Sequence, residues 1–145
     1  MSQVLVNALQ NQALFDHNVE SFELIETHIS WVILTGDYAY KIKKPMDFGF
    51  LDFTTLEKRK HFCEEELRLN RRLAPELYLG LLPLYGDEKN PCFTGDGAII
   101  EYAIKMRQFE QADLLNNLLA EGDLTHSHIN EVAAQVAGFH ARTEV

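Results

Sequence analysis

The fold is decided by residues 31–73, WVILTGDYAYKIKKPMDFGFLDFTTLEKRKHFCEEELRLNRRL. This stretch opens with two runs that are rich in β-branched and aromatic residues, on either side of Gly36-Asp37. A Gly-Asp dipeptide between two such runs is typical of a tight hairpin turn. The pattern therefore predicts two antiparallel strands, over residues 31–35 and 38–43.

A long helix is expected to follow the second strand. Thr54 and Glu57 have the spacing of a capping box, in which each side chain binds the backbone amide of the other residue. Ala74-Pro75 indicates the other end, because the residue before a proline disfavours the α conformation. The helix is therefore predicted to run from Thr54 to about Leu73.

The rest of the chain supplies further strands and shorter helices. An amphipathic helix is predicted over residues 2–14, and the remaining strands over residues 22–26, 77–85 and 98–106. Two C-terminal helices are expected, one over residues 113–120 and one capped by Thr125 or Ser127. The predicted class is α+β, a five-stranded antiparallel sheet with the long helix packed on it.

Charge is spread unevenly along the chain. The net charge is −9, yet nine of the 13 Lys and Arg residues lie between Lys41 and Arg72, against six Asp and Glu residues. A local basic zone in an acidic protein suits a small anionic ligand better than nucleic acid. We therefore expect a small anion rather than nucleic acid as the partner.

Other features bound the class of protein. No apolar run could span a bilayer and the N-terminus lacks a signal-peptide pattern, so a cytoplasmic protein without a membrane partner is expected. Cys63 and Cys92 lack metal-ligand spacing and are predicted to be free thiols. His126, His128 and His140 do not make a convincing zinc site, and we expect capping or packing roles for them.

One carboxylate stands out on the predicted long helix. At 100° per residue, Glu66 falls at the centre of an arc of apolar residues, where an unpaired charge would be costly. Because side chains alternate along a strand, Lys41 and Lys43 share a face with Ala39 and are the nearest candidate cations in the strand before the helix. We therefore predict a partly buried Lys–Glu pair; the alternative is that Glu66 pairs only with Arg59 or lies at a local edge of the apolar arc.

Such a pair has a chemical use. A Lys ammonium that is held by a carboxylate presents a fixed positive charge to the phosphates of ATP. The link between the first two strands, from Thr27 to Ser30, offers hydroxyls and amides that could cover a phosphate. The segment that follows the last predicted strand, Arg107-Gln108-Phe109, could offer a free backbone edge to adenine.

Several segments carry a resemblance to a known family. Tyr38-Ala39-Tyr40-Lys41 looks like the x-Ala-x-Lys strand of kinase-like folds, and residues 62–84 resemble the helix and strand that follow it. The ending VAGFHART, residues 136–143, matches the helix before the catalytic loop. Residues 27–80 are similar to an uncharacterised bacterial branch of the aminoglycoside-phosphotransferase family, whose members are often fused to a P-loop kinase domain. The resemblance covers roughly residues 20–142.

This resemblance implies the role of each candidate residue. Lys41 would contact the phosphates of ATP and Glu66 would anchor Lys41, with Lys43 and Glu65 as the alternatives for the pair. The link from Thr27 to Ser30 would cover the phosphates, Ala39 belongs to the lysine strand, and the hinge that binds adenine would be formed by Arg107, Gln108 and Phe109.

The family also implies an ATP-dependent phosphotransferase that acts on a hydroxyl of a small molecule. Residues 1–109 would be the protein-kinase-like small lobe, and residues 110–145 the start of a helical large lobe. The catalytic Asp and the Mg²⁺ ligands lie in a His-Gly-Asp-like loop and a later Asp, so no catalytic or metal-binding residue is expected before Val145. The C-terminal helices would expose apolar surface and favour self-association.

Some motifs and functions compete with this interpretation. Asp47-Phe48-Gly49 has the letters of a kinase magnesium motif, but it lies in the small lobe, so we interpret it as a coincidence and its loop as packing for the helix. The chain could also be a non-catalytic nucleotide-binding or regulatory module of the same fold. A domain that binds anions or RNA through residues 41–72 is the third hypothesis.

Overall fold

The computed structural model describes residues 3–143. Ser2, the predicted start of the first helix, lies outside the described residues, as do residues 144–145 at the end of the second expected domain. The chain divides into two compact units, Met1–Gln108 and Phe109–Val145.

In residues 3–108, the first unit contains two helices and six strands: α1 (Gln3–Ala8), β1 (Glu23–Glu26), β2 (Ser30–Leu34), β3 (Tyr38–Lys43), α2 (Leu56–Asn70), β4 (Tyr78–Gly86), β5 (Pro91–Cys92) and β6 (Ile99–Arg107). The second unit contains α3 (Leu115–Glu121) and α4 (His126–Arg142). Short 3₁₀ turns occupy Gln12–Leu14 and Gln111–Asp113.

The strands form one antiparallel sheet in the order β1-β2-β3-β6-β4-β5. The α+β class is confirmed, but the predicted count of five strands is wrong. The additional strand, β5, lies in the turn-rich connection after β4, where it pairs with Tyr85 and Gly86. A strand of two residues is too short to show alternation, so the sequence pattern could not indicate it.

The two faces of the sheet bury different clusters. One face packs with α1 into the larger core, through residues such as Leu5, Leu9 and Ile42. The other face packs against α2 through a smaller cluster, in which Cys63 and Leu67 contact the strands. Burial of apolar surface on both sides therefore holds the sheet between two helices.

The N-terminus of α2 differs from the predicted capping box. Thr55 caps the helix, and its hydroxyl accepts a hydrogen bond from the amide of Lys58 at 3.2 Å. Thr54 precedes the cap, and its amide and its hydroxyl both donate to Asp52 Oδ1. The helix ends at Asn70 rather than at about Leu73.

The first helix is shorter than predicted. α1 ends at Ala8, and a separate 3₁₀ turn follows in which the side chain of Asn11 accepts a hydrogen bond from the amide of Ala13. Asparagine is a strong N-cap residue, so it begins a new turn here instead of continuing the helix.

In residues 109–143, the second unit contains a 3₁₀ turn followed by α3 and α4. α3 ends at Gly122, whose φ of 77° is the left-handed conformation that glycine adopts freely. α4 begins with a capping box in which the side chains of Thr125 and His128 each accept a hydrogen bond from the other residue's amide. Thr125 rather than Ser127 is therefore the cap. Within residues 3–143, no helix has both the length and the apolar character needed to cross a membrane.

Candidate functional site

Strand β3 presents two lysines to α2. Tyr40 and Ile42 lie in the core on the α1 side of the sheet. The alternate side chains of Lys41 and Lys43 point to the other side, where both reach the same carboxylate on α2. Ala39, the small residue that precedes them on this face, is buried. The predicted distribution of these side chains over the two faces is confirmed.

Glu66 is the carboxylate that binds both lysines. Lys41 Nζ donates to Oε1 at 2.6 Å, and Lys43 Nζ donates to Oε2 at 2.7 Å. The predicted pair between the third strand and the long helix is therefore present, but it has three members instead of two. The side chain of Glu66 is 17% exposed, so a carboxylate from the apolar arc is satisfied by two partners rather than left uncompensated.

The two lysines also keep Glu66 ionised. Burial by itself would raise the pKa of Glu66, but the nearby ammonium groups of Lys41 and Lys43 outweigh that effect, and the pKa lies below its ordinary value of 4.5. Glu66 is therefore a carboxylate at neutral pH. The cluster of two ammonium groups and one carboxylate carries a net charge of +1.

Of the alternatives considered for this pair, Lys43 does bind Glu66, whereas Glu65 and Arg59 do not. Glu65 is exposed on the helix surface and binds Arg68 in a bidentate pair at 3.0 and 2.7 Å, so it does not hold the strand lysines. Arg59 does not bind Glu66 either. Its guanidinium turns to a different carboxylate, on β6.

This second pair, between Arg59 and Glu101, was not predicted from the sequence. Arg59 Nε lies 2.9 Å from Glu101 Oε2, and the two side chains are 7% and 1% exposed. Arg59 Nη1 also donates to the carbonyl of Phe53 at 2.8 Å, and the amide of Tyr102 donates to Glu101 Oε1 at 3.0 Å. Burial raises the pKa of Glu101 against the opposing effects of those partners. The central position of Arg59 in the apolar arc was the signal that could have prompted a search for a buried partner.

An aromatic loop closes the buried end of the cluster. The ring of Phe53, which is 1% exposed, lies under the ammonium of Lys43 at 5.0 Å from its centroid. Phe53 also makes edge contacts with Phe48 of the loop and Phe62 of α2. The interpretation of this loop as packing for the helix is therefore confirmed for Phe48 and Phe53, whereas Phe50 is 83% exposed.

The turn from Thr27 to Ser30 needs a correction. The Thr27 hydroxyl donates to the carbonyl of Ser30 at 3.1 Å and accepts from its amide at 3.0 Å, which closes the turn on itself. The Ser30 hydroxyl is buried and has no hydrogen-bond partner in the described residues. The Thr27 hydroxyl is therefore used within the turn and the Ser30 hydroxyl is buried, so neither is free to cover a phosphate.

The expected hinge also needs a correction. The amide of Arg107 donates to the carbonyl of Leu77 at 2.8 Å, and the amide of Gln108 donates to the carbonyl of Asp37 at 2.9 Å. The side chain of Gln108 accepts a further bond from the amide of Gly36. These two amides are therefore not a free edge for adenine, since they are used to join β6 to the β2–β3 turn and to the start of β4. Phe109, the third hinge residue, begins the second unit and is half exposed.

The described residues contain no group of three or more His, Cys, Asp and Glu side chains that could hold a metal ion. Asp47 accepts a hydrogen bond from the amide of Gly49 at 2.8 Å and forms a β-bridge with Asp52, so it belongs to a tight hairpin. His128 acts in the cap of α4, which confirms the capping role for this histidine. Cys63 and Cys92 are free thiols, as predicted.

The chain is similar to long proteins of mycobacteria. An uncharacterised protein of Mycobacterium bovis and two uncharacterised proteins of Mycobacterium tuberculosis are each 34% identical to it over 119 residues. That alignment takes in 82% of this chain but spans only 22% of the length of each relative. No family model and no solved structure matches the chain.

Proposed function

We propose that the first unit is the ATP-binding lobe of a phosphotransferase that acts on a hydroxyl group of a small molecule. The proposal is carried by the ammonium of Lys41, which Glu66 holds at 2.6 Å. The side chain of Lys41 is 24% exposed, so the residue that would contact a phosphate is partly open to solvent while Glu66 holds its ammonium in place. Catalysis of phosphoryl transfer depends mainly on such positioning and on electrostatic stabilisation of the phosphates.

The order of the elements supports the same proposal. Three strands, one long helix and then further strands follow one another as in the small lobe that the resemblance to the aminoglycoside-phosphotransferase family implies. In that family the Mg²⁺ ligands and the catalytic Asp belong to a large lobe. The role proposed for these residues is therefore nucleotide binding, and transfer to an acceptor requires the catalytic loop of that lobe.

Nucleic-acid binding is less well supported, because the basic segment is largely neutralised. Lys44 pairs with Glu26, Lys58 with Asp52, and Arg59 with Glu101. Charges that are already paired release few counterions on binding a polyanion. A non-catalytic nucleotide-binding module of the same fold would share the Lys41 site, and nucleotide binding alone does not separate it from an enzyme lobe.

Titration of the ¹⁵N-labelled chain with Mg-ATP tests the proposal. We expect weak binding, with chemical-shift changes around β3 and α2. Replacing Lys41 by Ala should reduce affinity roughly tenfold or more, since it removes a charge-assisted contact. The matched control is Lys105→Ala. Lys105 lies opposite Tyr40 in the β3–β6 register, and its ammonium lies over the Tyr38 ring on the other face of the sheet. Equal shifts in the wild type and the Lys41→Ala variant would refute Lys41 as the phosphate ligand.

A further inference from the structure

The site contains one more cation than a Lys–Glu pair needs. Each oxygen of Glu66 accepts from a different ammonium, Oε1 from Lys41 and Oε2 from Lys43. One carboxylate can neutralise only one of these charges. Keeping a second ammonium in a largely buried position costs free energy, and an apolar residue at position 43 would avoid that cost.

The two lysines are not equivalent. The side chain of Lys43 is 5% exposed, against 24% for Lys41. Phe53 covers the ammonium of Lys43, and Phe53 is itself fixed by contacts with Phe48 and Phe62. Lys43 is therefore enclosed by protein groups, whereas Lys41 is open to solvent on one side.

The second ammonium changes what Lys41 can offer. Because Oε2 is occupied by Lys43, Glu66 binds Lys41 through a single oxygen. An ammonium has three N–H donors. Among the described residues, the Lys41 ammonium donates one hydrogen bond, to Glu66. Its remaining donors are uncommitted, and the cluster keeps a net charge of +1. A simple Lys–Glu pair would be neutral and would allow the carboxylate to hold the ammonium with both oxygens.

We propose that Lys43 is a positioning residue for anion binding by Lys41: it occupies one oxygen of Glu66 and supplies the charge that keeps the site cationic. This inference rests on the proposed function for its ligand, the phosphates of ATP. The assignment of the two lysine roles rests on burial and hydrogen bonding alone. The enclosed lysine fixes the carboxylate, and the open lysine contacts the ligand.

The first experiment uses no nucleotide. Brief acylation of surface amines, followed by peptide mapping, should modify Lys41 faster than Lys43 in the wild type, with Lys105 as the internal reference. In the Lys43→Met variant, both oxygens of Glu66 become available to Lys41. Acylation of Lys41 should then slow down roughly tenfold, as expected for one more charge-assisted hydrogen bond. Unchanged acylation of Lys41 in a folded Lys43→Met protein would overturn the positioning role.

The second experiment measures nucleotide affinity. Lys43→Met should weaken Mg-ATP binding roughly tenfold although position 43 does not touch the ligand, because the cluster loses its net positive charge and Glu66 can neutralise Lys41 with both oxygens. Affinity unchanged by Lys43→Met would refute the charge role. If the wild type binds no nucleotide, the proposed function fails and acylation alone decides the role of Lys43. Lys43→Gln serves as a second uncharged variant, and the fluorescence of the buried Trp31 checks that each variant is folded.

Discussion

Helices α2 and α4 are alike in length and in their N-terminal caps, but they differ in how much of each helix is buried. They have 15 and 17 residues, and each begins with a threonine whose hydroxyl accepts a hydrogen bond from a backbone amide three residues on. α2 contains three buried residues, Arg59, Cys63 and Leu67. α4 contains none among the residues that the structure describes, and its Ile129, Val132 and Val136 are 43–50% exposed.

The difference shows that an amphipathic pattern does not tell what covers the apolar face. On α2 the sheet covers that face, and charged residues are retained in it because each one finds a partner on a strand. On α4 the apolar stripe Ile129, Val132 and Val136 remains 43–50% exposed within this chain. Since most helical stability in proteins comes from tertiary packing, α2 is expected to be far more resistant to perturbation than α4.

The largest loss of stability is expected from breaking the buried pair between Arg59 of α2 and Glu101 of β6. Arg59→Ala leaves Glu101, which is 1% exposed, without its counter-charge. Breaking one side of a buried ion pair should cost about 3–5 kcal/mol in the free energy of unfolding. Urea denaturation followed by Trp31 fluorescence measures this, because Trp31 is the single tryptophan and is buried in the first unit.

The matched control is Arg142→Ala at the end of α4, an exposed position where we expect a change within about 0.5 kcal/mol. Replacing both members of the pair, Arg59→Met with Glu101→Leu, should cost less than Arg59→Ala alone, since no unpaired charge remains. Similar losses for Arg59→Ala and Arg142→Ala would contradict the view that the two helices differ in how they are buried.

The two helices should also differ, by a smaller free energy, in how fast a thiol on each of them is alkylated. Cys63 is 1% exposed on α2, and burial raises the pKa of its thiol to about 12. In a Cys92→Ser background, iodoacetamide should modify Cys63 roughly a hundredfold more slowly than a cysteine placed on α4 by Ala133→Cys, an exposed position. Raising the pH from 7 to 9 should accelerate the α4 thiol, which gains thiolate, and leave Cys63 slow. Comparable rates would mean that α2 opens as readily as α4.

Local periodicities made much of the candidate site predictable. The alternation of side chains in β3 placed Lys41 and Lys43 on one face, and the 100° spacing of α2 placed Glu66 at the centre of the apolar arc. Both patterns depend only on neighbours in the sequence. Because an inward-facing carboxylate needs a counter-charge, the contact between strand and helix followed from these two facts.

The features that were missed depend on partners distant in the sequence. Arg59 lies on the same apolar arc, but nothing local in the sequence indicates that Glu101, 42 positions away, is its partner. The hinge amide of Gln108 was expected to be free, yet it is bound by the carbonyl of Asp37, from a turn 71 positions earlier in the sequence. The α2 cap is Thr55 rather than Thr54, whose amide and hydroxyl bind the carboxylate of Asp52, a local contact that a fixed motif spacing does not take into account.

The smallest change in stability is expected on the exposed face of α4. Replacing Val132 and Val136 by Ser should alter the free energy of unfolding by less than about 0.5 kcal/mol per site, because neither side chain is buried and Ser and Val have similar helix propensities. The matched substitution on α2, Leu67→Ala, removes a side chain that is 7% exposed and should cost about 2–5 kcal/mol. Far-UV circular dichroism in urea measures both.

If the apolar stripe of α4 drives self-association, sedimentation equilibrium should show weaker association in the double Ser variant, while Leu67→Ala leaves the association of the folded chain unchanged. A loss of several kcal/mol from the Ser variant, with no change in association, would mean that the α4 face is buried within a single chain.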